Sequence, residues 1–351
     1  MGHLAPPLVI TEIDREHPDP RHLAALAALG RSIRAETRPH DTAPTEEHIR
    51  RALAGVAAQG NFDVRVAVAW RDGVAAGDVT TASSRKGDNA HVLQVEAYVM
   101  PLERRRGVGT RLLEVALGRA RTEGRTLIIG TTNERVAAGE PFARRVGARP
   151  GLVSLVYEAT LAELDAALLA AWLRAGPERA PDVELAWLGS PYPEDQLPAL
   201  ATVMLAMNDI PLGDLQLGDR TVTPATLRDQ DGMRRARGDE RWTLVARRRE
   251  DGAIVGATET LWNAANPAVL MQLDTVVLRE ARGRGLGRWL KAAMLERVLR
   301  ERPEAHVVRT DNASLNAPMQ AINDALGFRV ALTETVWQVE VDAAAAALGI
   351  T

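Results

Sequence analysis

"RRRGVGTRLLE" occupies residues 104–114 and "RGRGLGRWLKA" residues 282–292. Each lies between an apolar run and a long amphipathic stretch, and the second repeats the first. Gly107 and Gly109 match Gly285 and Gly287 at an offset of 178. At that same offset "QVEAYVMPLE" (94–103) matches "QLDTVVLREA" (272–281). Further on, "TTN" (131–133) matches "TDN" (310–312), and "VGARP" (146–150) resembles "LGFRV" (326–330), the offset drifting only to 179 and 180. A period this long belongs to whole domains, not to a solenoid. With 351 residues, each half is long enough to bury a core of its own. The spacing predicts domains over 1–175 and 183–351, joined by the Pro- and charge-rich "RAGPERAPD" (174–182).

The coarse pattern repeats as well. In the first half a strand is expected over 7–13 and a helix over 20–36, capped by Asp19 with Pro20 first. A second helix follows over 44–59 with Thr45 as cap, then a hairpin turning at "RDG" and a long strand, "HVLQVEAYVM". After the Gly loop come a helix from 108 to 123, the buried-type strand "TLIIGTT" and a short helix before Gly147. The second half shows the same order: strand "DVELAWLG", two helices (the second with Thr223 and Pro224 at its start), a hairpin turning at "EDG", and "AVLMQLDTVVL" before its loop. The chain end, "DAAAAALGIT", reads as a low-complexity helical tail or as disorder.

The loop has a definite physical chemistry. Glycines let a ligand approach the backbone without meeting a Cβ. The helix that follows presents free N–H groups and the positive end of its dipole. Its apolar positions (Leu112, Leu113, Ala116, Leu117 and Ala120; Leu286, Leu290, Ala293 and Met294) put one face on a sheet. Arginines add formal charge, and the result is a pyrophosphate site. The dinucleotide fingerprint fails, since Leu112 and Leu290 stand where its third glycine belongs, and no GK[ST] is present. What remains is Arg-x-x-Gly-x-Gly at Arg104 and again at Arg282.

Composition removes other classes. A formal net charge of −3 argues against a nucleic-acid partner held by a basic surface. With no cysteine, thiolate metal sites and a Cys nucleophile are excluded, and the seven scattered histidines have no ligand spacing, so no metal is expected. No apolar run reaches the length of a membrane span. "MGHLAPPLVITEID" lacks a basic n-region and a long apolar h-region, which leads to the expectation of a cytoplasmic protein.

Arg-x-x-Gly-x-Gly between strand and helix, twice, each after a hairpin and a strand, resembles the GNAT superfamily of acyl-CoA N-acyltransferases in a tandem form. The layout is also similar to that of mycothiol synthase, although no motif fixes that substrate. The resemblance implies an α/β (α+β) fold of two fused GNAT domains, each a mixed, mostly antiparallel central sheet flanked by helices with a splayed strand pair. It implies acetyl-CoA as co-substrate, bound by Tyr98, Val99, Arg104, Arg105, Arg106, Gly107, Val108, Gly109 and Thr110 in one copy. In the other the contacts fall to Thr275, Val276, Val277, Arg282, Gly283, Arg284, Gly285, Leu286, Gly287, Arg288 and Asn312. It also implies direct attack by an amine, small-molecule in the expected case, on the thioester. No nucleic-acid or membrane partner is expected, and the oligomeric state is left open.

The amine must lose a proton, because an alkyl ammonium titrates near roughly 10. Candidate bases are Asp274 on the central strand and Glu259 on the hairpin. Asn316 matches the family's Asn eleven residues before Gly327. The family's proton-donating Tyr, four before Gly327, is replaced by Asn323. In the first half that position is Ala143, and Glu96 matches Asp274. The second domain is therefore expected to be catalytic and the first to be weak or inactive. A non-catalytic acyl-CoA-binding protein is the competing expectation, since neither half keeps the Tyr. The loop "NDIPLGDLQLGD" (208–219), with Asp209, Asp214 and Asp219, is expected to offer an acidic mouth to a cationic acceptor.

Overall fold

The computed structural model describes residues 7–58, 60–85 and 87–350. The first half runs β1 (Val9–Glu12), α1 (Pro20–Thr37), α2 (Glu46–Ala57), β2 (Phe62–Arg71), β3 (Val74–Ser84), β4 (Val92–Val99), α3 (Val108–Thr122), β5 (Leu127–Asn133), α4 (Gly139–Arg145) and β6 (Arg149–Thr160). The second runs α5 (Ala166–Arg179), β7 (Val183–Leu188), α6 (Leu197–Met204), α7 (Pro224–Arg237), β8 (Asp239–Arg248), β9 (Ile254–Asn263), β10 (Val269–Val277), α8 (Leu286–Glu301), β11 (Val307–Ala313), α9 (Ala317–Ala325), β12 (Arg329–Glu340) and α10 (Val341–Leu348). The caps read from sequence are in place. Asp19 accepts from the Arg21 N–H at 2.7 Å, Thr45 from His48 at 3.2 Å, and Thr223 from Thr226 at 3.1 Å. Gln59, the last residue of the helix expected over 44–59, lies outside the described residues.

The compact units do not coincide with the sequence halves 1–175 and 183–351. Unit 1 comprises Met1–Val153, Gly213–Gly218 and Glu334–Thr351; unit 2 comprises Ser154–Leu212 and Asp219–Thr333. Strand pairing is the reason. The end of β6, from the first half, pairs antiparallel with β11 from Ser154↔Ala313 to Thr160↔Val307. The end of β12 pairs antiparallel with β5 from Glu334↔Asn133 to Glu340↔Leu127. Each half thus supplies a strand to the unit built by the other.

The linker expected over 174–182 is another correction: most of it is the last turn of α5. Leu169, Trp172 and Leu173 recur at helical spacing and pack with Ala292, Leu295 and Val298 of α8. That burial holds the helix although Pro177 lies inside it. Of the two expectations for the chain end, the helical one holds up to Ile350, with Thr351 outside the described residues: α10 buries Val341, Ala344 and Ala345 in the core over α3 and ends on Gly349 with φ 68°.

Within each unit, helices cover both faces of a mixed sheet. In unit 1, α3 sends Leu112, Ala116, Leu117 and Ala120 against Val79, Leu93 and Val95. The opposite face packs Val66, Val68 and Tyr98 against Leu23 and Leu29 of α1 and Leu53 of α2. In unit 2, Leu286, Leu290 and Met294 of α8 meet Leu244, Ala246 and Val255. On the other face Leu197, Leu200 and Leu227 of α6 and α7 meet Val245, Ala257 and Val276. Leu112 and Leu290 occupy equivalent positions at 0% exposure, so truncating either to Ala costs about 2–5 kcal/mol.

Candidate active site

Each unit contains a wedge. Strands β4 and β5 pair in parallel only at Val92↔Leu127, Leu93↔Ile128 and Gln94↔Ile129, and then separate. Strands β10 and β11 pair only at Val269↔Val307, Leu270↔Val308 and Met271↔Arg309, and then separate. Past these rungs the backbone edges of Ala97–Val99 and of Thr275–Val277 lack a parallel neighbour and line an opening. Glycine makes the third strand fit. A Cβ at Gly77 would stand 2.5 Å from the Tyr98 carbonyl oxygen, and one at Gly256 would stand 3.1 Å from that of Val276.

The Gly loops end beside the wedges as helix N-termini. Gly107 caps α3 with φ 85° and Gly285 caps α8 with φ 81°, and neither first turn receives a side-chain cap. The N–H groups of Val108, Gly109 and Thr110, and of Leu286, Gly287 and Arg288, are left for an anion. Arg105 sits at φ 62°, where its counterpart is Gly283 at φ 79°. It is exposed and makes no hydrogen bond or ion pair among the described residues, so its charge is available to phosphate.

The two leading arginines serve differently from the expectation of direct phosphate contact. Nε of Arg104 donates to the Val99 carbonyl at 3.0 Å, and its guanidinium grips Glu36 of α1 at 2.8 and 2.5 Å. Nε of Arg282 donates to the Val277 carbonyl at 3.0 Å, and its terminal nitrogen reaches Asp209 at 2.6 Å. The same brace, built twice, ties the end of the wedge strand to the loop and to the helical layer above it. Asp209 also binds Arg279 at 2.9 Å; these two guanidiniums hold its carboxyl below the usual carboxylate range. It is therefore engaged by cations and does not form an acidic mouth. Arg284 pairs with Asp182, and Arg106 with Glu103 at 2.6 Å. Arg288 lies over the Trp172 ring at 5.6 Å.

The wedges differ in their central strands. From β3 to β4 the register is regular, Gly77↔Val99 through Ala82↔Gln94. From β9 to β10 it slips between Gln272 and Thr275, so that Leu273 and Asp274 together oppose Glu259. Such a bulge frees backbone groups from the ladder and re-aims the side chain it carries. Gln272 is 2% exposed and stabilises the distortion, its amide donating to the Glu259 carbonyl at 2.8 Å and to Thr258 Oγ1 at 3.0 Å.

The two carboxylates at the bulge are unlike. Glu259 is 3% exposed and its oxygens are occupied: Oε1 accepts from the Tyr192 hydroxyl and from Thr243 at 2.7 Å, and Oε2 faces Arg234 at 3.5 Å. Behind it Arg241, over the Tyr192 ring at 3.3 Å, pairs with the buried Asp231 at 2.9 Å. Asp274 is half-buried and has no hydrogen-bond partner among the described residues. Burial pushes its carboxyl up, with Arg220 and Arg234 pulling the other way and Glu259 adding to the rise.

Asn316 caps α9, its Oδ1 accepting from Met319 N–H at 3.4 Å. Asn323 is 0% exposed, with Lys291 donating to its Oδ1. Asn312, 8% exposed on β11, leaves Nδ2 unpartnered.

The sequence reading missed Asp78 and Arg145. Asp78 opposes Tyr98 in register, and Glu96 opposes Thr80, so all four share the face of the unit 1 wedge toward α1. Burial, with Glu96 adding to it, raises the Asp78 carboxyl to about 7. Tyr98 OH donates to Glu36 at 2.8 Å and stands 2.8 Å from Ser32 Oγ; burial raises its pKa to about 12. Arg145 donates to Thr110 Oγ1 at 2.8 Å and places a further cation at the mouth of α3. Only the register of β3 against β4, absent from a motif, could have exposed Asp78.

No protein-family model matches the chain, and no curated protein does. Solved structures match it throughout. A tandem GNAT protein from the clavulanic acid biosynthesis pathway, solved without acetyl-CoA, is 28% identical, with 95% of this chain and 99% of that one covered and a TM-score of 0.78. A GCN5-related N-acetyltransferase from Sphaerobacter thermophilus is 16% identical, covering 95% and 96%, at a TM-score of 0.66. Another from Kribbella flavida is 14% identical, covering 97% and 72%, at 0.53. No helix is long and apolar enough to cross a membrane among the described residues.

Proposed function

We propose that this chain, which has the tandem GNAT fold, is an acyl-CoA-dependent N-acyltransferase with its reaction centre in unit 2. The donor in this reading is acetyl-CoA and the acceptor a primary amine on a small molecule. One observation carries it: the bulge at Leu273–Asp274 lies where β10 leaves β11, in the unit whose α8 begins on an uncapped glycine turn.

The residues present suit coenzyme A. The N-terminal turns of α3 and α8 offer unclaimed N–H groups for a pyrophosphate. A thioester supplies an activated acyl group when bound. The chain's own groups do the rest. Backbone N–H groups freed by the bulge are available to the oxygen on which negative charge develops. Asp274 takes the proton of the incoming ammonium, and its raised pKa makes it a stronger base than an ordinary carboxylate. Glu259, with its oxygens filled, fixes the hairpin beneath Asp274 and is not the base. Acetyl-CoA as donor accords with a cytoplasmic setting.

A second reading places chemistry in unit 1, and Asp78 favours it: a carboxyl raised to about 7 is matched to base catalysis near neutral pH. Release of coenzyme A thiol from acetyl-CoA in the presence of an amine panel tests the proposal. Asp274→Asn should lower turnover by about 10²–10³. Full turnover in that variant, with loss in Asp78→Asn, would move the reaction to unit 1.

A further inference from the structure

The loop expected to form an acidic mouth is followed at once by a cation, Arg220. Arg220 is exposed, and its guanidinium makes no hydrogen bond or ion pair among the described residues. Its backbone, in contrast, is clamped. The Arg220 N–H donates to Asn208 Oδ1 at 3.1 Å, and Asn208 Nδ2 donates to the Arg220 carbonyl at 3.0 Å. Asn208 precedes Asp209, which Arg279 and Arg282 hold. Two residues beyond Arg220, Val222 packs with Met207 on the core cluster that contains Val276 of β10. The side chain of Arg220 therefore starts from a fixed point beside the end of the central strand.

Helix α7 brings a second cation to the same place. Arg234 follows the buried Leu227 and Asp231 at helical spacing and lies against Glu259, Nη1 standing 3.5 Å from Oε2. Its side chain is 16% exposed, and its other guanidinium nitrogens have no partner among the described residues. Ala257 packs with Leu227, so Glu259, two residues further along β9, shares the α7 face. Thr275 turns to the opposite face, its Oγ1 2.8 Å from that of Thr258. Asp274 carries its charge on the α7 side, where Glu259, Arg220 and Arg234 all act on it.

These two guanidiniums work against the chemistry of a simple amine. Burial raises the Asp274 carboxyl, and Arg220 and Arg234 pull it back, which weakens the base. They also repel an arriving ammonium. The fold does not demand them: at the offset of 178 set by the caps Thr45 and Thr223, unit 1 has Thr42 and Val56 instead. The cost vanishes when the acceptor brings a negative charge of its own. Arginine is suited to hold a carboxylate through paired N–H groups. Glu259 already offsets one of the two positive charges, so a single negative charge completes the balance. Asp274 is then left to face the ammonium.

We infer that the acceptor is an amino acid, a small molecule whose amine faces Asp274 and whose carboxylate is held by Arg220 and Arg234. This rests on the reading of unit 2 as the reaction centre. Arg220 and Arg234 are specificity-determining residues in this account and take no part in proton transfer.

The test is release of coenzyme A thiol from acetyl-CoA with matched acceptors: glycine and glycinamide, β-alanine and β-alaninamide, γ-aminobutyrate and its amide. The ratio of kcat/KM for acid over amide is compared between proteins, so differences in amine basicity cancel. Arg220→Gln is the main variant, because an exposed side chain without partners can be replaced without unfolding the protein. The wild type should show a ratio about tenfold higher than Arg220→Gln for the best pair. The loss should fall on the KM of the acid, with the KM of acetyl-CoA unchanged, and Arg220→Lys should regain part of it. Equal ratios in wild type and Arg220→Gln overturn the inference and leave the unit 2 reading intact. A raised KM for acetyl-CoA in Arg220→Gln assigns the arginine to the coenzyme and overturns it too. Preference for phosphoethanolamine over β-alanine replaces the carboxylate by a phosphate and also overturns it. No thiol release with any acceptor overturns both readings.

Discussion

Arg282 and Asp209 stand 2.6 Å apart, in an ion pair that has an independent counterpart in Arg104 and Glu36 at 2.5 Å. In both copies the same arginine holds the carbonyl at the end of the wedge strand at 3.0 Å. A duplicated brace of this kind preorganises the loop before any ligand arrives, and preorganisation is a source of affinity. Arg282→Lys keeps the charge and loses the fork that binds both partners. The expected outcome is coenzyme A affinity in unit 2 about tenfold weaker by calorimetry, near 1.4 kcal/mol. Unchanged affinity would mean that charge alone matters at this position.

Asp274 and Glu259 should separate in kinetics. Asp274→Asn should lower kcat and leave the KM for acetyl-CoA in place, because the carboxylate acts on the acceptor. Glu259→Gln should act through stability, since it unbalances a buried network with Tyr192, Thr243 and Arg234. Burial raises the Asp274 pKa, so the acidic limb of the rate profile should lie above the ordinary carboxylate range and vanish in Asp274→Asn. A limb that persists in the variant assigns the base elsewhere.

Asp78 makes a prediction about stability. Its carboxyl titrates at 3.8 in the unfolded chain and at about 7 in the fold. Between those values the folded state holds a proton that the unfolded state has lost. Stability is therefore lost as pH rises from 3.8 to about 7 and stays lost above it. Asp78→Asn should remove that dependence and gain on the order of 4 kcal/mol at neutral pH, measured by denaturant unfolding at several pH values. A variant that tracks the wild type at every pH would show that the carboxyl is not desolvated.

Much of this was legible in the chain because glycine, capping residues and apolar spacing act locally. Gly107, Gly285, Thr45 and Thr223 do in the structure what local chemistry requires. Long-range relations were not legible. Trp172 and Leu173 override a Pro- and charge-rich composition and make α5 a helix, because their partners lie in α8. The pairing of β6 with β11 has no local signature. Lys291 is a residue type that is almost never fully buried, so its spacing read as ordinary helix. Asp78 acquires its role only through the register that places it opposite Tyr98.

Backbone conformation supplies a paired test. Arg105 holds a left-handed φ of 62° that its counterpart Gly283 adopts freely. Arg105→Gly should raise stability by up to about 1 kcal/mol, offset in part by unfolded-state entropy. Gly77→Ala should be the more damaging change on the hairpin, because its Cβ would stand 2.5 Å from a backbone oxygen, against 3.1 Å for Gly256→Ala. Thermal unfolding of the three variants orders them.

Placing a carboxylate in one loop at a time tests the central claim most directly. Gly109 and Gly287 lie outside the left-handed region, and a Cβ on either would make only ordinary contacts, 3.4 Å to Phe142 and 3.5 Å to Ile322. Glu at either site should therefore fold and repel a pyrophosphate from that helix N-terminus alone. Acetyl-CoA-dependent acylation of an amine panel should be abolished in Gly287→Glu and retained in Gly109→Glu. Retained activity in Gly287→Glu would contradict a reaction centre in unit 2.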